Sequence, residues 1–265
     1  MIRANRHKRV IAVCGKGGVG KTAFTAMLTR SLLESQKAGD LLVIDADPAM
    51  GLPNTLGIQV EKTIGHVRDL IINTARAGIG EDRVDLSSRL DYLVLETLYE
   101  SDDYAFLAMG RTDSQGCFCS VNDLLKKSIR ILSERFDTIV IDGEAGLEQM
   151  NRQVMNMVDL LIILSDTSTR GLQTVEHITK MVTEDHVIDC TQLGVVFNRV
   201  INNELLLTQA AERIGIEVFG MVPQDQSIVH YDLIGQPLTE LPADSLALSA
   251  IRDFVANHIV QLDCR

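Results

Sequence analysis

A chain of 265 residues with 46 % hydrophobic content is long enough to bury a sizeable core and fold as one large α/β domain. Its formal net charge of -11 excludes an extended cationic field of the kind that holds nucleic acid or an anionic membrane, so proteins and small molecules are the expected partners. No run of about 18 apolar residues occurs, and the five cysteines, at 14, 117, 119, 190 and 264, do not make a disulfide framework; a soluble, cytoplasmic protein is expected.

In chain order, a basic tail over 1–8 leads into the apolar run "RVIAVC" at 9–14, which is too short for a signal peptide and reads as a strand. Further buried strands are predicted at 41–45, 92–96, 137–142, 159–165, 192–198 and 217–222. Helices are predicted at 21–36, 121–135, 170–184, 202–214 and 244–261, and 98–120 is the least regular stretch. Strands that are apolar throughout and alternate with helices predict an α/β fold with a mainly parallel sheet covered by helices on both faces, a single domain filling 9–265.

The strongest chemical signal is "GKGGVGKT", the residues Gly15, Lys16, Gly17, Gly18, Val19, Gly20, Lys21 and Thr22, between the first strand and the first helix. It satisfies the P-loop pattern in its required context. Glycines let successive backbone N–H groups point at one phosphate, and the helix N-terminus adds partial positive charge. Lys21 neutralises β/γ oxygens, and the Thr22 hydroxyl is suited to Mg²⁺. Asp45 and Asp47 follow the second strand and Asp142 ends another, at the carboxyl ends where open α/β sheets bind ligands. Asn198 closes "VVFN", with a donor and an acceptor for a base edge, and Pro223 lies in "MVPQD". A guanine-type "NKxD" is absent, which favours ATP.

The second lysine of the loop, in "KGGVGKT", resembles the deviant Walker A signature of the ATPase family that includes septum-site, plasmid-partition, nitrogenase iron protein and metal-centre maturation ATPases. The resemblance covers about residues 9–225. It implies a P-loop NTPase domain that hydrolyses ATP, with ATP/ADP and Mg²⁺ as ligands, in a homodimer where Lys16 reaches the partner's nucleotide. It further implies that Asp142 acts on Mg²⁺ through water with support from Asp45, that Asp47 positions the attacking water, that Gly146 lies in a nucleotide-sensing switch, and that Asn198 and the Pro223 turn hold adenine.

Cys117 and Cys119 in "QGCFCS" lie between these elements. Residues two apart share a side of an extended segment but not of a helix, and Gly116 favours an extended or turning backbone. The spacing is neither a redox CxxC nor a zinc-ribbon pattern. One chain supplies two soft ligands where zinc or square-planar nickel takes four, so two chains meeting at a twofold axis would complete the set. "QGCFCSVNDLL" ahead of "IDGEAGLE" resembles the CooC-type ATPases that assist nickel insertion into carbon monoxide dehydrogenase, and the related ATPase of acetyl-CoA synthase. That resemblance implies Ni²⁺ or Zn²⁺ shared between protomers through Cys117 and Cys119 and a client nickel enzyme, while the acidic charge leaves no nucleic-acid or membrane partner expected. Cys14, Cys190 and Cys264 read as structural, and the six histidines show no metal-binding spacing. Two other classes compete: a septum-site or partition-type regulator, and an electron donor like the nitrogenase iron protein. The C-terminal "ALSAIRDFVANHIVQLDCR", with only two arginines, does not suit a basic membrane-binding helix, and adjacent cysteines do not match a cluster held by widely separated ones.

Overall fold

The computed structural model describes residues 8–76, 82–111, 119–143 and 157–259. Among these, eight strands form one sheet: β1 (Arg9–Cys14), β2 (Leu41–Asp45), β3 (Tyr99–Glu100), β4 (Ala105–Ala108), β5 (Thr138–Asp142), β6 (Met157–Ser165), β7 (Asp189–Val200) and β8 (Glu217–Pro223). Their spatial order is β3-β4-β2-β5-β1-β6-β7-β8. Every neighbouring pair is parallel except β3–β4 at one edge.

The helices are α1 (Lys21–Ser35), α2 (Leu52–Leu56), α3 (Ile64–Arg76), α4 (Asp82–Leu95), α5 (Cys119–Ser133), α6 (Thr169–Thr183), α7 (Glu204–Ile214), α8 (Gln226–Ile234) and α9 (Leu246–Phe254), which runs on into a π-helical turn over Val255–Ile259. They cover both faces of the sheet, which is why its central strands carry apolar residues at consecutive positions. On one face Leu42, Ile44, Ile139 and Ile141 share a core with Ile71, Ile129 and Val175 from α3, α5 and α6. On the other, Ile11, Val13, Val43 and Val140 pack with Phe24 and Leu28 of α1 and Leu248 and Ile251 of α9. Because side chains alternate along a strand, the residues next in step after Val43 and Val140, Asp45 and Asp142, emerge on the α1 face.

Two parts of the expected layout are corrected. The run 92–96 is not a strand: 92–95 are the end of α4 and 96 lies in the turn that follows. Leu90 and Val94 are buried while Tyr92 and Leu95 are exposed, a helical spacing that a short apolar run does not distinguish from a strand. The strand that fills that place in the sheet is β4, buried at every position, inside the stretch read as irregular. Four helices were also not anticipated, namely α2, α3, α4 and α8. The helix expected at 121–135 begins two residues earlier, so Cys119 opens α5 rather than lying in an extended segment. Cys190, read as preceding a strand, lies inside β7. Cys117, Gly146, Cys264 and tail residues 1–7 lie outside the described residues. No helix among the described residues is long and apolar enough to cross a membrane.

After β8, one side chain ties two helix starts together. Asp225 caps α8, accepting from the Ser227 amide at 2.9 Å, and also accepts from the Ser245 hydroxyl at 2.7 Å and the Ala247 amide at 3.2 Å at the start of α9. Partial burial acts to raise its pKa, but the hydrogen bonds from Ser227, Ser245 and Ala247 outweigh it and hold the carboxyl down at about 2. The stability it contributes is therefore present above the ordinary aspartate value and is lost as the pH falls through about 2. Asp225→Ala removes a cap from one helix and a fastening from another, and is expected to cost ~1–2 kcal/mol in urea unfolding at pH 7. An unchanged midpoint would show that these bonds contribute nothing net.

Candidate nucleotide site

The loop from Gly15 to Thr22 joins the end of β1 to the start of α1 at the carboxyl edge of the sheet. Gly15 has φ 135, and a Cβ there would lie 2.1 Å from the Leu164 carbonyl oxygen of β6, so only glycine lets the chain leave the sheet at this point. Gly20, with φ 94, caps α1 without a side chain. The loop thus presents bare backbone amides at a helix N-terminus, the arrangement that binds phosphate.

The two lysines are held differently. Lys21 is buried, and its ammonium donates to the carbonyls of Gly15 at 3.1 Å and Lys16 at 3.3 Å. Lys16 is partly exposed and pairs with Asp166 of the same chain at 3.2 Å. Asp166 follows β6, and its carboxylate also accepts from the Ser168 amide and hydroxyl at the start of α6. Burial works to raise the Asp166 pKa, but the bonds from Ser168 and Lys16 prevail and lower it.

On the α1 face Asp45 and Asp142 are register partners on adjacent strands, and both are buried. Asp142 accepts from Thr25 Oγ1 at 3.2 Å and from the Thr22 hydroxyl. Burial, reinforced by the negative charge of Asp45, pushes the Asp142 pKa up to about 7. Burial likewise raises Asp45 to about 6, against the hydrogen bonds it accepts from the amides of Asp47 at 3.0 Å and Leu52 at 3.2 Å. Two buried carboxylates with elevated pKa values beside a phosphate-binding loop form a hard oxygen donor set that suits Mg²⁺. Asp47, half-buried, accepts from the Ala49 amide at 2.8 Å through one oxygen.

Asn198, at the end of β7, is buried and braces the loop: its Nδ2 donates to the Val19 carbonyl at 2.8 Å, and its Oδ1 accepts from the Arg199 amide at 3.0 Å. An asparagine amide has two N–H groups and an oxygen with two lone pairs, so one donor and one acceptor remain for a base. Pro223 ends β8 opposite Val200. The residues expected from the sequence at Gly15–Thr22, Asp45, Asp47, Asp142, Asn198 and Pro223 therefore gather at one edge of the sheet. Sequence reasoning missed Asp166, Thr25 and Arg199. A signal existed for Asp166, a strand-end aspartate like the others, and for Thr25, one helical turn beyond Thr22.

The approach to the cysteine stretch is also fixed. The Met109 amide donates to the Asp45 carbonyl at 2.8 Å, the Gly65 amide to the Met109 carbonyl at 2.8 Å, and Arg111 Nε to the Pro48 carbonyl at 3.3 Å. Residues 109–111, which lead directly into 112–119, are thereby bonded to the Asp45–Pro48 turn. Among the described residues, no group of three His, Cys, Asp or Glu side chains is placed to hold a metal ion.

A parallel sheet with this loop at its centre and carboxylates on the neighbouring strand ends defines a P-loop nucleotide-binding domain. The chain belongs to the CobQ/CobB/MinD/ParA nucleotide binding domain family, whose pattern matches residues 10–238. It is 39% identical over 256 residues to an uncharacterized ATP-binding protein of Methanocaldococcus jannaschii, covering 95% of this chain and 98% of that one. It is also 27% identical over 238 residues to the carbon monoxide dehydrogenase accessory protein CooC of Rhodospirillum rubrum, covering 85% and 87%. Among solved structures, the septum site-determining protein MinD of Pyrococcus horikoshii OT3, complexed with Mg-ADP, superposes with a TM-score of 0.67 at 21% identity, covering 97% and 98%.

Proposed function

We propose that this chain is a homodimerising ATPase that binds Ni²⁺ or Zn²⁺ through Cys117 and Cys119, and that it uses the conversion of ATP and water to ADP and phosphate to mature a nickel enzyme such as carbon monoxide dehydrogenase. The observation that carries the reading is the bonding of 109–111 to the Asp45–Pro48 turn, which links the stretch bearing the cysteines to the strand-end carboxylates of the nucleotide site. The similarity to CooC along most of both chains supports the choice of client.

In this reading the amides of Gly15–Thr22 hold the phosphates, and Lys21 exchanges its carbonyl partners for β/γ oxygens. The Thr22 hydroxyl would hold Mg²⁺, with Asp142 acting on it through water and Asp45 in support, and the ion would neutralise charge on the phosphate chain. Asp47 keeps one carboxylate oxygen outside its turn and uses it to orient the attacking water. Lys16 leaves Asp166 and reaches the nucleotide of the second protomer. An ion pair as exposed as Lys16–Asp166 is worth at most about 1 kcal/mol, so giving it up is a small cost. Asn198 and the Pro223 turn hold the base. Gly146 belongs to the nucleotide-sensing switch.

Titration of the purified protein with Ni²⁺ and with Zn²⁺, with and without a non-hydrolysable ATP analogue, tests the proposal. The expected result is one metal per two chains, tighter with the analogue and lost in Cys117→Ala/Cys119→Ala. Equal binding by that double variant would remove the metal site. Co-sedimentation of the ATP-bound protein with liposomes or DNA would instead favour a septum-site or partition type of regulator.

A further inference from the structure

Three cationic side chains lie in or against the Gly15–Thr22 loop, and the structure satisfies two of them. Lys16 pairs with Asp166, and Lys21 donates to two carbonyls. The third, Arg199, is exposed; among the described residues no carboxylate pairs with it and no acceptor takes a hydrogen bond from its guanidinium. It nevertheless lies against the loop. A Cβ placed on Gly20 would come within 2.8 Å of Asn198 Nδ2 and 3.6 Å of Arg199 Nη2.

The backbone beneath this side chain is unusual. Arg199 has φ 57, a left-handed conformation that an arginine rarely adopts, and Asn202 follows at φ 50. Such a conformation persists where its surroundings impose it. Here they do: the Asn198 carboxamide accepts from the Arg199 amide while donating to the Val19 carbonyl, so the root of the arginine is tied to the phosphate loop through one side chain. The turn that carries this bond leaves the guanidinium beside Gly20, the residue that caps α1.

We infer that Arg199 is a further nucleotide-contacting residue, its guanidinium binding the α-phosphate of the nucleotide held by the loop of the same chain. This rests on the reading of Gly15–Thr22 as the phosphate site. The position favours the α-phosphate because Arg199 adjoins Asn198, which retains a donor and an acceptor for a base, and the α-phosphate is the one nearest the base. A guanidinium is well matched to a phosphate, because it offers several N–H donors in a planar fork and stays charged.

The test uses Arg199→Gly, which removes the cation and accepts the left-handed backbone, with Arg199→Asn as a second variant that tolerates the same conformation. Binding of ADP, ATP and inorganic tripolyphosphate is measured by calorimetry on the full chain. For all three ligands the Kd is expected to rise about tenfold in both variants, with part of the affinity kept by Arg199→Lys and with thermal midpoints no lower than that of the wild type in Arg199→Gly. Binding within twofold of wild type overturns the inference. A loss confined to ATP would assign the contact to the γ-phosphate, and a loss for ADP and ATP but not tripolyphosphate would assign it to the base; either also overturns it. The wild type and Lys21→Ala run alongside: a wild type that binds none of the ligands refutes the nucleotide site itself, whereas a wild type that binds while Arg199→Gly matches it refutes only the role of Arg199.

Discussion

Lys21→Ala is expected to abolish measurable nucleotide binding, a loss of at least about 100-fold in ATP affinity, while leaving the protein folded. The lysine is buried at the root of the phosphate loop, and its ammonium is already held within the loop by the carbonyls of Gly15 and Lys16. Little further ordering is needed when phosphate arrives, so the affinity reflects the gain of charge-assisted bonds to phosphate over the two neutral carbonyl bonds given up. A hundredfold corresponds to ~2.7 kcal/mol, within reach of one or two hydrogen bonds between charged groups. The variant keeps the apolar packing of α1 on the sheet, because Phe24, Leu28 and Leu32 are untouched. The readout is the thermal midpoint with and without ADP. Ligand at 100 times its Kd stabilises a protein by ~2.7 kcal/mol, so the wild-type midpoint rises and that of Lys21→Ala stays flat. A variant that ADP still stabilises as strongly as the wild type would mean that phosphate is held elsewhere.

The second large effect concerns Asp142. Its pKa of about 7 lies far above the ordinary aspartate value, so the ligand-free native state retains a proton that the unfolded chain releases. The associated stability is complete below about pH 3.9, declines as the pH rises from there, and is gone once the pH has passed through about 7. About three pKa units correspond to at most ~4 kcal/mol, an upper bound because Asp45 titrates with it. Urea unfolding at pH 5, 6, 7 and 8 in the absence of Mg²⁺ and nucleotide should show the wild type weakening relative to Asp142→Asn. The amide is close to the carboxyl in shape and cannot ionise. Reading the difference between the two proteins cancels carboxylates with the opposite trend, such as Asp225. At pH 8 the variant is expected to be the more stable ligand-free protein and the one without ATP hydrolysis. Parallel stability curves would show that Asp142 is not held protonated by its surroundings.

The parts of this molecule legible in its sequence are those specified by neighbours along the chain. The phosphate loop is one contiguous motif in a fixed strand-to-helix context. The strands β1, β2, β5 and β6, and β7 over 195–198, are runs whose burial on both faces leaves a continuous apolar signature; β8, at the sheet edge, is legible from its apolar residues although only Phe219 and Val222 are buried. Residues 92–96 and 105–108 show the limit of that signature. Both are short apolar runs, and only packing on the sheet decides that the second is β4 while the first closes a helix. Within the site, the least legible features are pairings across long separations. Lys16 meets Asp166, 150 residues away, and Thr25 meets Asp142, 117 residues away. Neither pairing leaves a periodic trace. Arg199 stayed hidden because the Asn198 side chain that accepts from its amide is itself braced against the Val19 carbonyl, 179 residues away, a tertiary arrangement that no spacing rule encodes.

The pairing of Asp45 with Asp142 on one rung of the sheet acts as a gauge. Parallel strands lie about 4.8 Å apart, so the separation between the two carboxylates is metered by backbone hydrogen bonds rather than by any loop. A slip of one residue between β2 and β5 would leave the two carboxylates on opposite faces, one of them turned away from α1. The apolar residues that lock this register, Val43 and Val140 on one side and Ile44 and Ile141 on the other, therefore set the tolerance of the proposed Mg²⁺ site as directly as the carboxylates would set its chemistry. Loops around the edge of the sheet are free to diverge, while the spacing of the two carboxylates is inherited from the core.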